Sequence, residues 1–288
     1  MNDASPKYTV ELCDREYNAR AAIPDHPQIF ARWSEQAAAT RRLRACLLDL
    51  GYGDRGAERL DFFSTREDDV PLLVFIHGGF WRSLDKSDFS WIAPPFVQQG
   101  VAVALTNYGL APKTRIEDMV RQNLHALAWL YRNAQRLGFD RNRIFVAGHS
   151  AGGHLAAMMM AALWPQFDAD LPRNLVKGAL AVSGIFDLEP LLHAPFVNVD
   201  LKLDAARARR LSPALMPPAT DAPLVLGVGG LESGEFRRQT QLLATRWKNN
   251  LVRSVPAPGS NHLTVCDEIA DPAGALFDAA LALVKGEG

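Results

Sequence analysis

The stretch Gly148-His149-Ser150-Ala151-Gly152 constrains this chain more than any other. It follows the apolar run Arg143-Ile144-Phe145-Val146-Ala147 and opens a helix-like segment from Gly153 to Leu163. That order reads as strand, sharp turn and helix, with a serine at the tip. Glycines two residues to either side of Ser150 relieve the steric collisions of a strained turn. Such an elbow lifts a hydroxyl clear of the backbone and aims it at a carbonyl carbon. Ser150 is the expected nucleophile.

A second motif stands where such a nucleophile needs it. His77-Gly78-Gly79-Phe80-Trp81 directly follows the continuous apolar run Pro71 to Ile76. Attack on a carbonyl places negative charge on its oxygen, and donors fixed in advance stabilise that charge without reorganising. Two adjacent glycines free the backbone to turn N–H groups toward one point. The expected donors are the amides of Gly78, Gly79 and Ala151, and His77 is read as a residue that orders the loop.

A serine hydroxyl attacks well only when a histidine takes its proton and a carboxylate holds that histidine in one tautomer. In chains of strand–helix units the order is serine, acid, histidine, each on a loop after a successive strand. After Ser150 come His154, His193 and His262. His154 falls in the helix after the elbow, and His193 in a long crossing segment that no strand presents. His262 follows the last strand in Pro258-Gly259-Ser260-Asn261-His262 and is the expected base. Glu232, just beyond the strand Leu224 to Val228, is the expected acid, with Glu235 as the alternative. Asp221 precedes that strand, and Asp267 is placed at the start of the next helix.

The remaining pattern supplies the scaffold. Strands are expected at Arg59 to Phe63, Pro71 to Ile76, Val101 to Leu105, Arg143 to Ala147, Ala179 to Val182, Leu224 to Val228 and Val252 to Val255. Helical patterns run over Ile116 to Leu137, His154 to Leu163, Glu235 to Asn249 and Ala273 to Val284. The alternation predicts an α/β fold, one mostly parallel sheet with helices on both faces. Asp187 to Pro218, long and proline-marked, is expected to cross the mouth of the pocket rather than add a strand. A chain of 288 residues, 48% of them apolar, is long enough for one such domain spanning 1–288. Residues 1–50 are expected to form a helical extension packing near the pocket, on the stripe Ile29, Trp33, Ala37, Leu43 and Leu47. Whether it is scaffold or a lid is left open.

Net charge is −1 with both signs scattered, which gives no basis for nucleic-acid binding. Three separated cysteines, Cys13, Cys46 and Cys266, have neither zinc spacing nor a disulfide framework. Met1 to Val10 has no apolar signal core, and no stretch approaches the roughly 20 apolar residues of a membrane span. The expectation is a cytoplasmic protein without membrane attachment, metal or cofactor, acting on a small neutral molecule, with a homodimer as the default assembly. Phe80, Trp81, Tyr108, Phe186 and Phe196 all fall in segments that reach the ligand end of the sheet. They are expected to form an aromatic pocket for a hydrophobic or aromatic substrate.

These motifs together resemble the α/β-hydrolase superfamily on its hormone-sensitive-lipase-like side. The narrower likeness is to the arylformamidase (kynurenine formamidase) group and related bacterial esterases. It is carried by Glu16-Tyr17-Asn18-Ala19-Arg20 with Pro24-Asp25-His26-Pro27, by Ser183 to Leu191, by Ser212-Pro213 and by Glu232 to Gln239. The resemblance implies the α/β-hydrolase fold, Ser150, Glu232 and His262 as catalytic residues, and Gly78, Gly79 and Ala151 as oxyanion donors. It also implies an aspartate at the acid position, where this chain carries the longer Glu232. The reaction expected is cleavage of small acyl groups from esters or aryl amides through an acyl-enzyme. Two alternatives stand beside it: a catalytically silent binding protein on the same fold, and a carbamate or C–C bond hydrolase using the same three residues.

Overall fold

A computed structural model describes residues 8–287. The expectations for Met1 to Lys7 and for Gly288 lie outside the described residues. Eight strands form the sheet: β1 (Leu47–Gly51), β2 (Arg59–Phe63), β3 (Val70–Ile76), β4 (Ala102–Thr106), β5 (Phe139–His149), β6 (Val176–Val182), β7 (Leu224–Gly229) and β8 (Leu251–Ala257). Among the described residues eleven helices surround it. They are α1 (Val10–Tyr17), α2 (Ala19–Ala22), α3 (His26–Leu43), α4 (Ala93–Gln98), α5 (Ile116–Leu137), α6 (Ala151–Met160), α7 (Trp164–Phe167), α8 (Pro195–Leu201), α9 (Ala205–Arg210), α10 (Gly234–Arg246) and α11 (Ala275–Lys285). Among the described residues no helix is long and apolar enough to cross a membrane.

The spatial order of the strands is β1-β2-β4-β3-β5-β6-β7-β8. β1 and β2 run antiparallel at one edge, and every pair from β4 to β8 is parallel. The central parallel strands β3 and β4 are buried on both faces, which is why they read as unbroken apolar runs. Their side chains alternate between two cores. Leu72, Val74 and Ile76 of β3 face one, with residues of α1, α5, α6 and α10. Leu73 and Phe75 face the other, with residues of α3, α4 and α11.

All seven expected strands form, and the Ile116 to Leu137 pattern is α5. The crossing segment after Asp187 contains α8, α9 and short 3-10 turns but no strand. One expectation is overturned in the first fifty residues. The helical stripe ends at Ala37. Leu43 is 80% exposed, and Leu47 begins strand β1. Leu47 and Leu48 are both exposed, so β1 has no buried face and no alternation for periodicity to detect. Helix α4 also lacks a sequence signal: six residues with two prolines in the first turn.

Candidate active site

Parallel strands end on the same side of a sheet, and the loops that leave them there share one crevice. In this chain β5 delivers Ser150, β3 delivers His77 to Trp81, β6 delivers Ser183, β7 delivers Glu232 and β8 delivers His262.

Ser150 occupies the junction of β5 and α6 at φ 56° and ψ −118°, a strained conformation for a residue with a side chain. Its own amide donates to the Val182 carbonyl at 2.8 Å, which fixes the elbow to the neighbouring strand. His262 Nε2 lies 3.0 Å from Ser150 Oγ, and His262 Nδ1 lies 2.6 Å from Glu232 Oε2. An ionised carboxylate only accepts, so Nδ1 carries the imidazole proton and Nε2 is left to accept from the serine hydroxyl. Ser150, Glu232 and His262 are all buried.

The other carboxylate oxygen of Glu232 accepts from the Gly229 amide at 2.6 Å and from the Ser183 hydroxyl. Burial by itself would raise this carboxyl. The His262 ring, the Ser183 hydroxyl and the Gly229 amide outweigh burial and hold it below its ordinary value. The methylene that glutamate adds over aspartate folds back across Gly229. A Cβ there would stand 3.1 Å from Glu232 Cγ and 2.3 Å from the Ser260 carbonyl oxygen, so only glycine leaves room.

His262 is packed on two sides. The Phe236 ring lies 4.0 Å from its centroid and the His149 ring 5.0 Å. His149 Nε2–H donates to the His262 carbonyl at 2.7 Å. Burial, followed by the charge of His262, pushes His149 down to about 3. It stays neutral near neutral pH and serves as a brace rather than a second base.

The loop after β3 presses against the elbow. Gly79 has φ +103°, and a Cβ on it would lie 2.1 Å from the Ser83 carbonyl oxygen; Phe80 and Trp81 follow at φ 52° and 55°. This run of left-handed residues turns the chain sharply beside Ser150. Among the described residues, none of the amides of Gly78, Gly79 and Ala151 donates to a backbone acceptor. His77 orders the loop from beneath. Its Nδ1 donates to the Gly78 carbonyl at 2.8 Å, its Nε2 stands 3.1 Å from Asn107 Oδ1, and its ring stacks on Tyr108 at 4.4 Å.

The alternative candidates are engaged elsewhere. Glu235 accepts from Tyr17 Oη at 2.7 Å and from Arg238 at 2.9 Å. His154 donates to the Leu211 carbonyl at 2.7 Å beside Trp81, and His193 stacks on Tyr8. Asp267 does not order the following helix; it accepts from Arg32 and from the Trp33 indole, both at 2.6 Å, and so pins α3.

The expected aromatic pocket needs correction. A cavity of about 30 Å³ lies over Ser150 and His262, walled by Ala19, Arg20, Phe30, Trp33, Phe80 and Leu84 with Gly79 and His149. Of the five expected aromatics only Phe80 lines it. Trp81, Tyr108 and Phe186 are sealed in the core. Tyr108 instead donates its hydroxyl to the His77 carbonyl at 2.8 Å. Phe196 packs edge-on behind Phe80, with ring centroids 5.6 Å apart. A second cavity of about 260 Å³ adjoins the first at Ala19 and His262 and is bounded by Ile23, Asp25, Leu231, Phe236 and Asn261. The walls missed from sequence come from α2 and α3. The sequence places residues 1–50 near the pocket without naming a wall residue there, and the stripe Ile29, Trp33 and Ala37 marks burial without saying against what. Among the described residues no group of three or more His, Cys, Asp or Glu side chains is arranged to hold a metal ion.

The chain is similar to known proteins along nearly its whole length. The BD-FAE family matches residues 60–196. The kynurenine formamidase of Salmo salar is 32% identical over 266 residues, covering 88% of this chain and 86% of the relative. That of Danio rerio is 34% identical over 223 residues, covering 74% and 73%. A solved structure from Silicibacter sp. TM1040, of a protein proposed to be a thioesterase, superposes with a TM-score of 0.82 at 31% identity, covering 93% of this chain and 97% of the other. With a fold and a sequence in common over that span, this chain belongs to the α/β-hydrolase family of the kynurenine formamidases and their esterase relatives, hydrolases of the ester- and amide-cleaving kind.

Proposed function

We propose that this protein is a serine hydrolase that removes formyl or acetyl groups from aryl amides and esters through an acyl-enzyme. The observation that carries the reading is the hydrogen-bonded row from Ser150 Oγ through His262 to Glu232, at 3.0 Å and 2.6 Å. In the first step His262 Nε2 takes the Ser150 proton as Oγ bonds to the acyl carbon. The carbonyl oxygen becomes an oxyanion and accepts from the amides of Gly78, Gly79 and Ala151. Collapse of the intermediate breaks the bond to the leaving nitrogen or oxygen, which receives the proton from His262. A water then gives its proton to His262, attacks the acyl carbon and releases the acid, and Ser150 recovers its proton. Glu232 stays ionised throughout and stabilises the imidazolium.

The size of the acyl group follows from the cavity over Ser150. That cavity is narrow, about 30 Å³, with Phe30, Trp33 and Phe80 among its walls. A formyl or acetyl group fits there, and longer chains meet Phe30, Trp33 and Phe80. The kynurenine formamidase relatives support an aryl formamide as the amide substrate. The test is steady-state turnover of p-nitrophenyl esters from acetate to octanoate and of N-formylkynurenine, with Ser150→Ala in parallel. The expected result is rates that fall with acyl length and a loss of about 10³-fold or more in the variant. Equal turnover by Ser150→Ala overturns the serine mechanism.

A further inference from the structure

Three side-chain acceptors border the cavity over the elbow. Ser150 Oγ and His262 Nε2 are engaged with each other at 3.0 Å. The third is Nδ1 of His149, which the proposed cycle does not use. A neutral imidazole has one N–H and one lone pair on its ring nitrogens. The Nε2–H of His149 is committed to the His262 carbonyl at 2.7 Å, so the lone pair is on Nδ1. Burial, the largest influence on this ring, keeps it neutral, and the lone pair is not lost to a proton. Among the described residues Nδ1 meets no donor, yet it is not sealed in the core as His154 Nδ1 is. His149 is 3% exposed, and the surface it keeps is cavity wall. A Cβ placed on Gly78 would stand 3.2 Å from His149 Nδ1 and 3.2 Å from Ser150 Cβ. The lone pair and the nucleophile therefore flank one of the expected oxyanion donors.

An ester and an amide differ at the leaving atom. As the tetrahedral intermediate collapses, that atom turns a lone pair toward His262 Nε2 to receive its proton. An ester oxygen carries no hydrogen. An anilide nitrogen carries one, which is then turned away from His262 and taken out of water. A buried donor left without an acceptor costs more than a typical hydrogen bond returns. We propose that His149 is a specificity-determining residue whose Nδ1 accepts from the N–H of the scissile amide, raising the turnover of aryl amides relative to esters of the same acyl group. An ester oxygen in that place sets two acceptors against each other, which adds to the discrimination. No bond is made or broken at His149, and the proton that reaches the leaving nitrogen still comes from His262. The inference rests on the serine reading above and adds the class of bond that the site favours.

The test is the ratio of kcat/KM for p-nitroacetanilide to that for p-nitrophenyl acetate, which share their acyl and aryl groups. It is measured in the wild type, His149→Gln, His149→Asn and Ser150→Ala. The ratio cancels any general loss of folding or activity. In His149→Gln the amide nitrogen takes the place of Nε2 and keeps the bond to the His262 carbonyl, while nothing replaces Nδ1. The ratio should fall about 10- to 100-fold, because the substrate N–H is left unpaired. In His149→Asn the shorter side chain sets an amide oxygen near the place of Nδ1 and gives up the bond to His262. Both substrates should then slow together, with the ratio little changed. An unchanged ratio in His149→Gln overturns the proposal. So does an equal fall in His149→Asn, which assigns the selectivity to the brace on His262 rather than to the acceptor. So does a wild type that turns over the ester and not the anilide. Turnover retained by Ser150→Ala is a separate failure and overturns the serine reading instead.

Discussion

Glutamate reaches one bond further than aspartate, and at position 232 that bond is used. The side chain doubles back over Gly229 so that one oxygen meets His262 at 2.6 Å while the other takes the Gly229 amide. Shortening it withdraws the carboxylate from the imidazole without changing its charge. Glu232→Asp is therefore expected to lower kcat for p-nitrophenyl acetate about tenfold or more with KM little changed, although aspartate is the residue the family resemblance leads one to expect. A wild-type kcat would show that the loop adjusts freely. Ser183→Ala removes the hydroxyl that holds the outer oxygen and should cost about 10- to 100-fold in kcat. The same contacts give a pH signature. The carboxyl has its ordinary value of 4.5 in the unfolded chain and lies lower in the folded one. Its contribution to stability is complete above that value and is lost as pH falls through the folded value. Urea midpoints measured from about pH 6 down to about pH 3 should fall less steeply in Glu232→Gln than in the wild type. Parallel slopes would remove Glu232 from the acid limb.

At the scale of elements, what the sequence discloses depends on whether a residue's role lies along the chain or across it. Every strand but β1, the elbow and the chain order of Ser150, Glu232 and His262 are local patterns tied to chain direction, and they are legible. The aromatic pocket is not, because Trp81, Tyr108 and Phe186 lie in the right loops and yet turn into the core. Only the packing decides which way a loop side chain faces. The walls that replace them come from α2 and α3, far from Ser150 in sequence. Ser183 is likewise invisible, since a serine after a strand has no signature until Glu232 folds over it. Helix α3 is held in place by Trp33, whose indole donates to Asp267 and whose ring meets Phe30, Phe89 and Trp91 within 6 Å. Phe30 is the part of this wall whose loss enlarges the cavity without cutting that anchor. Phe30→Ala should raise the kcat/KM ratio of p-nitrophenyl butyrate to acetate about tenfold, two methylenes gaining a site at about 0.8 kcal/mol each. An unchanged ratio would mean that α2 and α3 do not bound the acyl site.

The molecule as a whole is a sheet between two cores, and the seam at its antiparallel edge buries little apolar surface at β1. β1 is exposed on both faces, and apolar burial contributes little there. An ion cluster holds the seam instead. Lys86, in a 3-10 turn shortly after the Gly79 loop, donates to Asp61 of β2 at 2.7 Å and to Asp49 of β1 at 2.8 Å. Burial alone would lower the Lys86 ammonium; the hydrogen bonds and charges of the two aspartates outweigh it and hold it above its ordinary value of 10.5. The stabilisation is therefore complete below that value and fades as pH rises through the higher folded one. The two aspartates are not equivalent, for Asp61 is buried and Asp49 is 71% exposed. Asp49→Ala should cost less than about 1 kcal/mol, as exposed pairs do. Lys86→Ala strands a buried Asp61, whose second oxygen already lacks a partner among the described residues, and should cost about 3–5 kcal/mol. Replacing both members, Lys86→Met with Asp61→Leu, removes the stranded charge along with its partner. The double variant should then be more stable than Lys86→Ala alone. Urea denaturation of the three variants decides the matter. If the double variant is no better than the single one, the lysine holds the edge by packing its carbon chain rather than by its charge, and the seam is apolar after all.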